Sequence, residues 1–219
     1  MFHDRTYSLL GIAAGHEPAP LLSRVPASLR EWYSHPDAVA VASRQDRLRP
    51  PSELEVVAGS GRELLVFMDE DQGVCRWAVA LDGTDDPEVF VSIEEAPYRR
   101  YADTFSDHIF CAVWDWLNGS SYAASAQAGP LAADDLAVLR RALRALPSTW
   151  NWPGAENYRF ADVGLRLRLW SAPDQCDWYL FGDSAEAFLR GARLIAPLSD
   201  LRTLLYPLDD KSKMLLRRM

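Results

Sequence analysis

Leu65-Val66-Phe67-Met68-Asp69-Glu70-Asp71-Gln72-Gly73-Val74-Cys75-Arg76-Trp77-Ala78-Val79 decides how the middle of the chain folds. The apolar run from Glu63 to Met68 is too short for a comfortable helix. From Val74 to Leu81, Cys75, Trp77, Val79 and Leu81 alternate with Val74 and Arg76, the period of a strand with one buried face. Asp69 to Gly73 between them is an acidic turn closed by glycine, so the stretch reads as a hairpin. A second acidic turn, Asp82-Gly83-Thr84-Asp85-Asp86-Pro87, leads into a further strand at Val89 to Ile93. Upstream, Leu54 to Ala58 reads as a short strand joined to the hairpin through Gly59-Ser60-Gly61. Antiparallel strands connected this way place their acids at the two ends of one sheet.

Helical patterns flank this sheet. Pro26 opens a short helix in which Leu29, Trp32 and Tyr33 share a face, and His35-Pro36 ends it. Thr104-Phe105-Ser106-Asp107 has capping-box form. Phe105, Ile109, Val113 and Trp116 then mark the buried face of a helix that Asn118-Gly119 stops, with Phe110, Trp114 and Leu117 widening the stripe. Residues 120–130, rich in Ala, Ser and Gly, read as a linker. The last third reads as a helix on Leu136, Leu139, Leu143 and Leu146, with Asp134 and Asp135 at its start and Arg140, Arg141 and Arg144 toward its end, as the helix dipole favours. A hairpin of Val163 to Trp170 with Cys176 to Phe181 follows, then a helix capped by Ser184, then a frayed tail after Leu208.

The 219 residues carry 31 acidic and 23 basic side chains, a net charge of −8. Between Asp69 and Asp107 there are eleven acids and three arginines, and everything outside that segment sums to zero. A localised excess creates a field that attracts cationic partners and repels phosphate backbones, which disfavours direct nucleic-acid binding. Cys75, Cys111 and Cys176 are too few and too scattered for a disulfide framework or a paired-cysteine zinc site. With neither a signal peptide nor a membrane span evident, the expected location is the cytoplasm.

Motifs for catalysis are missing: there is no nucleophile elbow, phosphate loop, HExxH or dinucleotide fingerprint. His108 and Cys111 lie three apart on a helix, but no third group to orient a base is identifiable, and a surface histidine beside a small buried cysteine accounts for them. Asp82, Asp85, Asp86 and Glu88 lack the order that supplies calcium with six to eight oxygens, so a solvated acidic turn accounts for them. Of the eight tryptophans, Trp150 and Trp152 are the pair for which exposure and sugar stacking stay open.

Taken together, several segments resemble the SUKH superfamily, the Smi-Knr group of bacterial immunity proteins and fungal cell-wall-synthesis regulators. Val25-Pro26-Ala27-Ser28-Leu29-Arg30-Glu31-Trp32-Tyr33 resembles its LP-x-x-LREFY helix. The Leu65 to Val79 hairpin resembles its L-x-F-x-x-E-N-Q-G-x-x-x-W-x-V motif, Asp86-Pro87-Glu88-Val89 its D-P-P-V turn, and Thr104 to Ile109 its S-F-S-E-F-L segment. Val25 stands for the family's leucine, Asp71 for its asparagine, and Ser34-His35-Pro36-Asp37 for its glycine-rich segment. The resemblance implies an α+β fold, a mixed, largely antiparallel sheet packed against several helices. It implies one domain over residues 1–219, with core motifs in 20–118 and a second helix-hairpin-helix part in 131–208. Pro26, Leu29, Trp32, Tyr33, Gln72, Gly73, Trp77 and Phe105 are then framework positions, Trp77 anchoring the hairpin on the helix that carries Trp32. The implied function is non-enzymatic, without cofactor or metal: an immunity protein that binds and neutralises a toxin. Asp69, Glu70, Asp71, Asp82, Asp85 and Asp86, with Trp150 and Trp152, are the expected contacts to a cationic toxin domain, with no membrane involved. A scaffold or regulator of the same fold with another partner, or a carbohydrate binder or enzyme built on the tryptophans, are the alternatives.

Overall fold

The computed structural model describes residues 1–13, 24–42, 46–117, 120–151, 154–198, 201 and 205–219. Two compact units divide the chain, the first comprising Met1–Leu117 with Thr149–Pro153 and the second Asn118–Ser148 with Gly154–Met219. Each is an antiparallel sheet packed against helices. The α+β class therefore holds, with two sheets where the sequence reading has one.

In the first unit, α1 (Asp4–Leu10), α2 (Ala27–Tyr33) and α3 (Pro36–Ala42) precede the strands β1 (Arg47–Leu48), β2 (Glu55–Gly59), β3 (Arg62–Asp69), β4 (Cys75–Ala80), β5 (Val89–Ile93) and β6 (Arg99–Ala102). A closing helix, α4 (Phe105–Trp116), follows. Strands β3 to β6 form a meander, and β1 and β2 pair in turn along the outer edge of β3. The expected β3–β4 and β4–β5 pairings are present. A bulge between Val66 and Met68 shifts the register, and it explains an apolar run without alternation. Leu65, Phe67 and Met68 all join the main core while Leu64 and Val66 face a smaller cluster with Ala78, Ala80 and Phe90.

The main core of this unit is aromatic. Trp32 and Phe105 are fully buried, with Trp32 against His3 and Tyr7 at ring distances of 5.0 and 6.1 Å. Trp77 meets Tyr101 and His108 at ring distances of 6.0 and 6.3 Å, which ties β4 to β6 and α4 within the core that also holds Trp32. His108 is itself buried, packed among Phe67, Tyr101 and Phe105, and Cys111 is buried one turn on. The expected surface histidine is thus a core residue. Trp116, expected on the buried face, is 42% exposed at the last position of the helix. The helix stop expected at Asn118-Gly119 lies outside the described residues. Four elements of this unit are additional to the sequence reading: α1, whose preceding amides at Phe2 and His3 donate to the Glu31 carboxylate, α3, β1 and β6.

The second unit contains β7 (Tyr122–Ala128), α5 (Ala133–Ala142), β8 (Arg144–Ala145), β9 (Glu156–Asp162), β10 (Leu165–Ser171), β11 (Cys176–Gly182), α6 (Ala185–Ile195), β12 (Tyr206–Pro207) and α7 (Asp210–Leu216). Its sheet runs β12-β7-β11-β10-β9-β8, antiparallel throughout. The expected β10–β11 hairpin is present, but Val163 and Gly164 form the turn before it. Val163 is 84% exposed and Gly164 has a φ of +66°. The segment expected as a linker is β7, an inner strand whose Ala124, Ala126 and Ala128 are buried. Alanine is a poor strand former, and pairing with β11 decides the matter. The α5 helix stops at Ala142 because Leu143 turns extended, reaching the core from the strand side, so Leu146 belongs to the β8–β9 region. The tail is helical, since Asp209 accepts from the Ser212 amide at 2.8 Å and caps α7.

Candidate functional site

The acids singled out by sequence lie on the turns of the first sheet, and the structure divides them by what they already do. Asp69 ends β3 and takes a two-pronged ion pair from Arg49, Nε and Nη2 at 2.7 and 2.8 Å. These bonds hold its carboxyl below the usual range. Glu70 accepts the Gln72 and Val74 amides at 2.9 and 3.1 Å, so it closes the β3–β4 turn in which Gly73 has a φ of +75°. Asp82 accepts both the amide and the hydroxyl of Thr84, an Asx turn that lowers its carboxyl. Asp86 accepts the Ser106 amide at 3.0 Å and its hydroxyl at 2.6 Å, crowning the first turn of α4. Four of the six acids among the expected contacts therefore hold the fold together.

Asp71 and Asp85 are different. Both side chains are exposed, while the Asp85 carbonyl accepts the Ser28 amide at 2.9 Å and ties its turn to α2. Beside Asp71, the half-buried Asp46 is pushed up to about 6 by burial, with Glu70 and Asp71 adding like charge. Of the positions read as framework, Leu29, Trp32, Trp77 and Phe105 are buried, and the Tyr33 hydroxyl donates to the Arg49 carbonyl. Gln72 is exposed on its turn.

Trp150 is half-buried, and its amide donates to the Tyr101 carbonyl at 2.8 Å while the Arg100 guanidinium lies 5.2 Å from its ring centre. Asn151 donates to the Arg100 carbonyl at 2.8 Å. Residues 149–151 thus block the free edge of β6, a structural task that accounts for Trp150. Trp152 lies outside the described residues.

Sequence reasoning passed over the β5–β6 turn as a site. Glu94 and Glu95 are exposed and both left-handed, with φ of +49° and +62°. Ser60, opposite them, has a φ of +51°. The Ser60 hydroxyl donates to the Tyr98 carbonyl at 2.6 Å and the Ser92 hydroxyl to the Ala96 carbonyl at 2.7 Å, while the Glu94 amide donates to the Val74 carbonyl at 2.8 Å. The segment is pinned as a strap across one face of the sheet. Tyr98 packs so closely on Gly59 that a Cβ there would lie 2.9 Å from its ring. Between strap and β2 runs a groove of about 460 Å³ with Val57, Val74, Pro97 and Tyr98 in its lining and both glutamates on its rim. Nothing in the residue types signals this, because glutamate is no marker for a left-handed backbone.

Charge separates the units as well. Residues of the first carry 20 acids and 10 basic side chains, those of the second 11 and 13, so the net charges are −10 and +2. The second unit has an open pocket of about 520 Å³ lined by Arg168, Trp170, Asp177, Tyr179 and Phe181. Among the described residues no group of three His, Cys, Asp or Glu side chains is placed to hold a metal ion, and no helix is long and apolar enough to cross a membrane. Cys75 and Cys176 are buried, which pushes each thiol up to about 12, far from a nucleophile's range. In comparisons with known proteins, no family model, curated protein or solved structure matches the chain.

Proposed function

We propose that the chain is a non-enzymatic protein-binding module, an immunity protein that neutralises a cognate bacterial toxin by covering a cationic surface on it. One observation carries the reading: the negative charge of the chain is wholly an excess of the first unit, −10 against +2. After Asp69, Glu70, Asp82 and Asp86 have been committed to turns and ion pairs, Asp71, Asp85, Glu94 and Glu95 still stand exposed on its loops. A field of one sign speeds encounter with a partner of the other and rejects phosphate backbones. The residues that carry the SUKH resemblance support the reading differently. Among them Leu29, Trp32, Trp77 and Phe105 are occupied in the core, while Asp71, Gln72 and Gly73 lie on the exposed turn.

The test is co-expression with a toxin encoded beside this chain, followed by calorimetry on the purified pair. The expected result is rescue of growth and a complex that weakens as salt shortens the screening length below about 10 Å. A toxin that stays lethal and unbound sinks the proposal. If no toxin gene adjoins this one and a different protein binds the same surface, the scaffold reading takes its place.

A further inference from the structure

We propose that the groove between β2 and the 94–98 strap is where the partner docks, and that its occupant is a lysine- and arginine-bearing segment of that partner. The inference rests on reading the first unit as a protein-binding module and adds the place and the chemistry.

Three features select this occupant. The lining is apolar where aliphatic stems would lie, at Val57, Val74, Pro97 and Tyr98, and acidic where their charged heads would emerge, at Glu94 and Glu95. Long basic side chains have that division along their length. The groove's one cation, Arg76, is drawn toward Asp69, with Nε 3.8 Å from the carboxylate. β2 pairs, among the described residues, with β3 alone and its free edge faces away from the groove, so the occupant is held by its side chains and not by a backbone ladder. The left-handed glutamates fit the same account: glycine would hold that turn with less strain, whereas glutamate keeps two carboxylates fixed on the rim.

The experiment uses the full chain and a synthetic peptide of alternating lysine or arginine with valine, with an acidic peptide of the same pattern as control. Binding is followed through backbone amide shifts. The expected result is saturable shifts centred on Ala58, Gly59, Ser60, Val74 and Ala96, and roughly tenfold weaker binding in the double variant Glu94→Gln/Glu95→Gln. Glu94→Gly/Glu95→Gly is expected to melt at a higher temperature than the parent and still lose the peptide, which separates lost binding from lost folding. Asp174→Asn, on the exposed β10–β11 turn of the second unit, is expected to change affinity by no more than about twofold. Shifts centred on the Asp71 and Asp85 turns would overturn the groove while leaving a cationic partner in place. Absence of saturable shifts, equal binding of the acidic peptide, or a groove found occupied by a second copy of the chain would each overturn the inference outright.

Discussion

The two units turn the same corner from strand to helix with different clearances. In the first, β6 ends at Ala102, Asp103 follows, and the Thr104 hydroxyl accepts the Asp107 amide at 3.1 Å. In the second, β11 ends at Gly182, Asp183 follows, and the Ser184 hydroxyl accepts the Ala187 amide at 3.2 Å. Four residues beyond each cap stands a buried ring, His108 or Phe188, and seven beyond stands Cys111 or Gly191. The second helix lies so close that a Cβ on Gly182 would sit 2.7 Å from the Phe188 backbone, and one on Gly191 2.5 Å from Leu165. The first unit fills the space with large rings and keeps its acids on long turns. The second draws its helix onto a leucine and alanine sheet and carries almost no net charge. One frame thus serves two ends: the first spends its surface on charge, the second spends its packing on closeness.

The comparison breaks hardest at the core. Trp32→Ala is expected to cost about 3–5 kcal/mol, seen as faster hydrogen exchange of the β4 amides; unchanged β4 exchange would mean that the aromatic cluster does not hold the first unit together. Gly182→Ala is the matching test in the second unit. Its new methyl meets the backbone of Phe188, which cannot step aside as a side chain can, so a cost of about 2–3 kcal/mol is expected. Gly191→Ala meets only the ends of Leu165 and Leu180 and gains helix propensity, so its cost is nearer 1 kcal/mol. If the two glycine variants melt alike, the difference between backbone and side-chain contact carries no weight here.

These positions also mark how far the sequence can be read. The β3–β4–β5 meander, the caps at Thr104 and Ser184 and the β10–β11 hairpin were legible because alternation, turn residues and capping hydroxyls are local signals. The inner strand β7 was not, since its alanines are held by neighbours distant in sequence, and neither was the tail helix, read as frayed until Asp209 is seen to cap it. Of the site, the acidic turns were legible as a charge excess. Which acids are committed was not, because Asp86 meets Ser106 and Asp69 meets Arg49 across twenty residues. The strap with Glu94 and Glu95 depends on one local and two long-range hydrogen bonds that leave no trace in composition.

A narrower contrast tests the division among the acids themselves. Asp86→Ala removes two acceptors from the start of α4, where Ser106 is buried, and should cost about 1–2 kcal/mol in urea denaturation. Asp85→Ala, one residue away with an exposed side chain, should stay within about 0.5 kcal/mol of the parent, since its fixed contact is through the backbone. Equal losses at the two sites would erase the distinction between committed and available carboxylates.

The smallest effect is a matter of pH. Burial and the neighbouring Glu70 and Asp71 push the Asp46 carboxyl up to about 6, above its ordinary 3.8. A carboxyl raised by folding binds its proton more readily in the folded chain, so the penalty is full above pH 6 and fades as pH falls toward 3.8. Asp46→Asn, whose amide oxygen can still accept the Asp71 amide, should therefore stabilise the protein near pH 7.5 and lose that advantage by about pH 4. Because Asp46 is only half-buried, solvent screening limits the gain to no more than about 1 kcal/mol. In the second unit Asp209 has the opposite sign. Burial opposes ionisation there, but hydrogen bonds from Ser212 and Ala123 prevail and hold its carboxyl low, so its contribution is present at neutral pH and disappears on acidification. Denaturant titrations of Asp46→Asn and Asp209→Asn against the parent should give differences of opposite sign at pH 7.5; the Asp46 difference should largely fade by pH 4, while the Asp209 difference should persist there and be lost only as pH falls further below 3.8. A gain for Asp46→Asn that persists undiminished at pH 4 would mean that packing, and not the crowded charge around the β3–β4 turn, sets the behaviour of this corner.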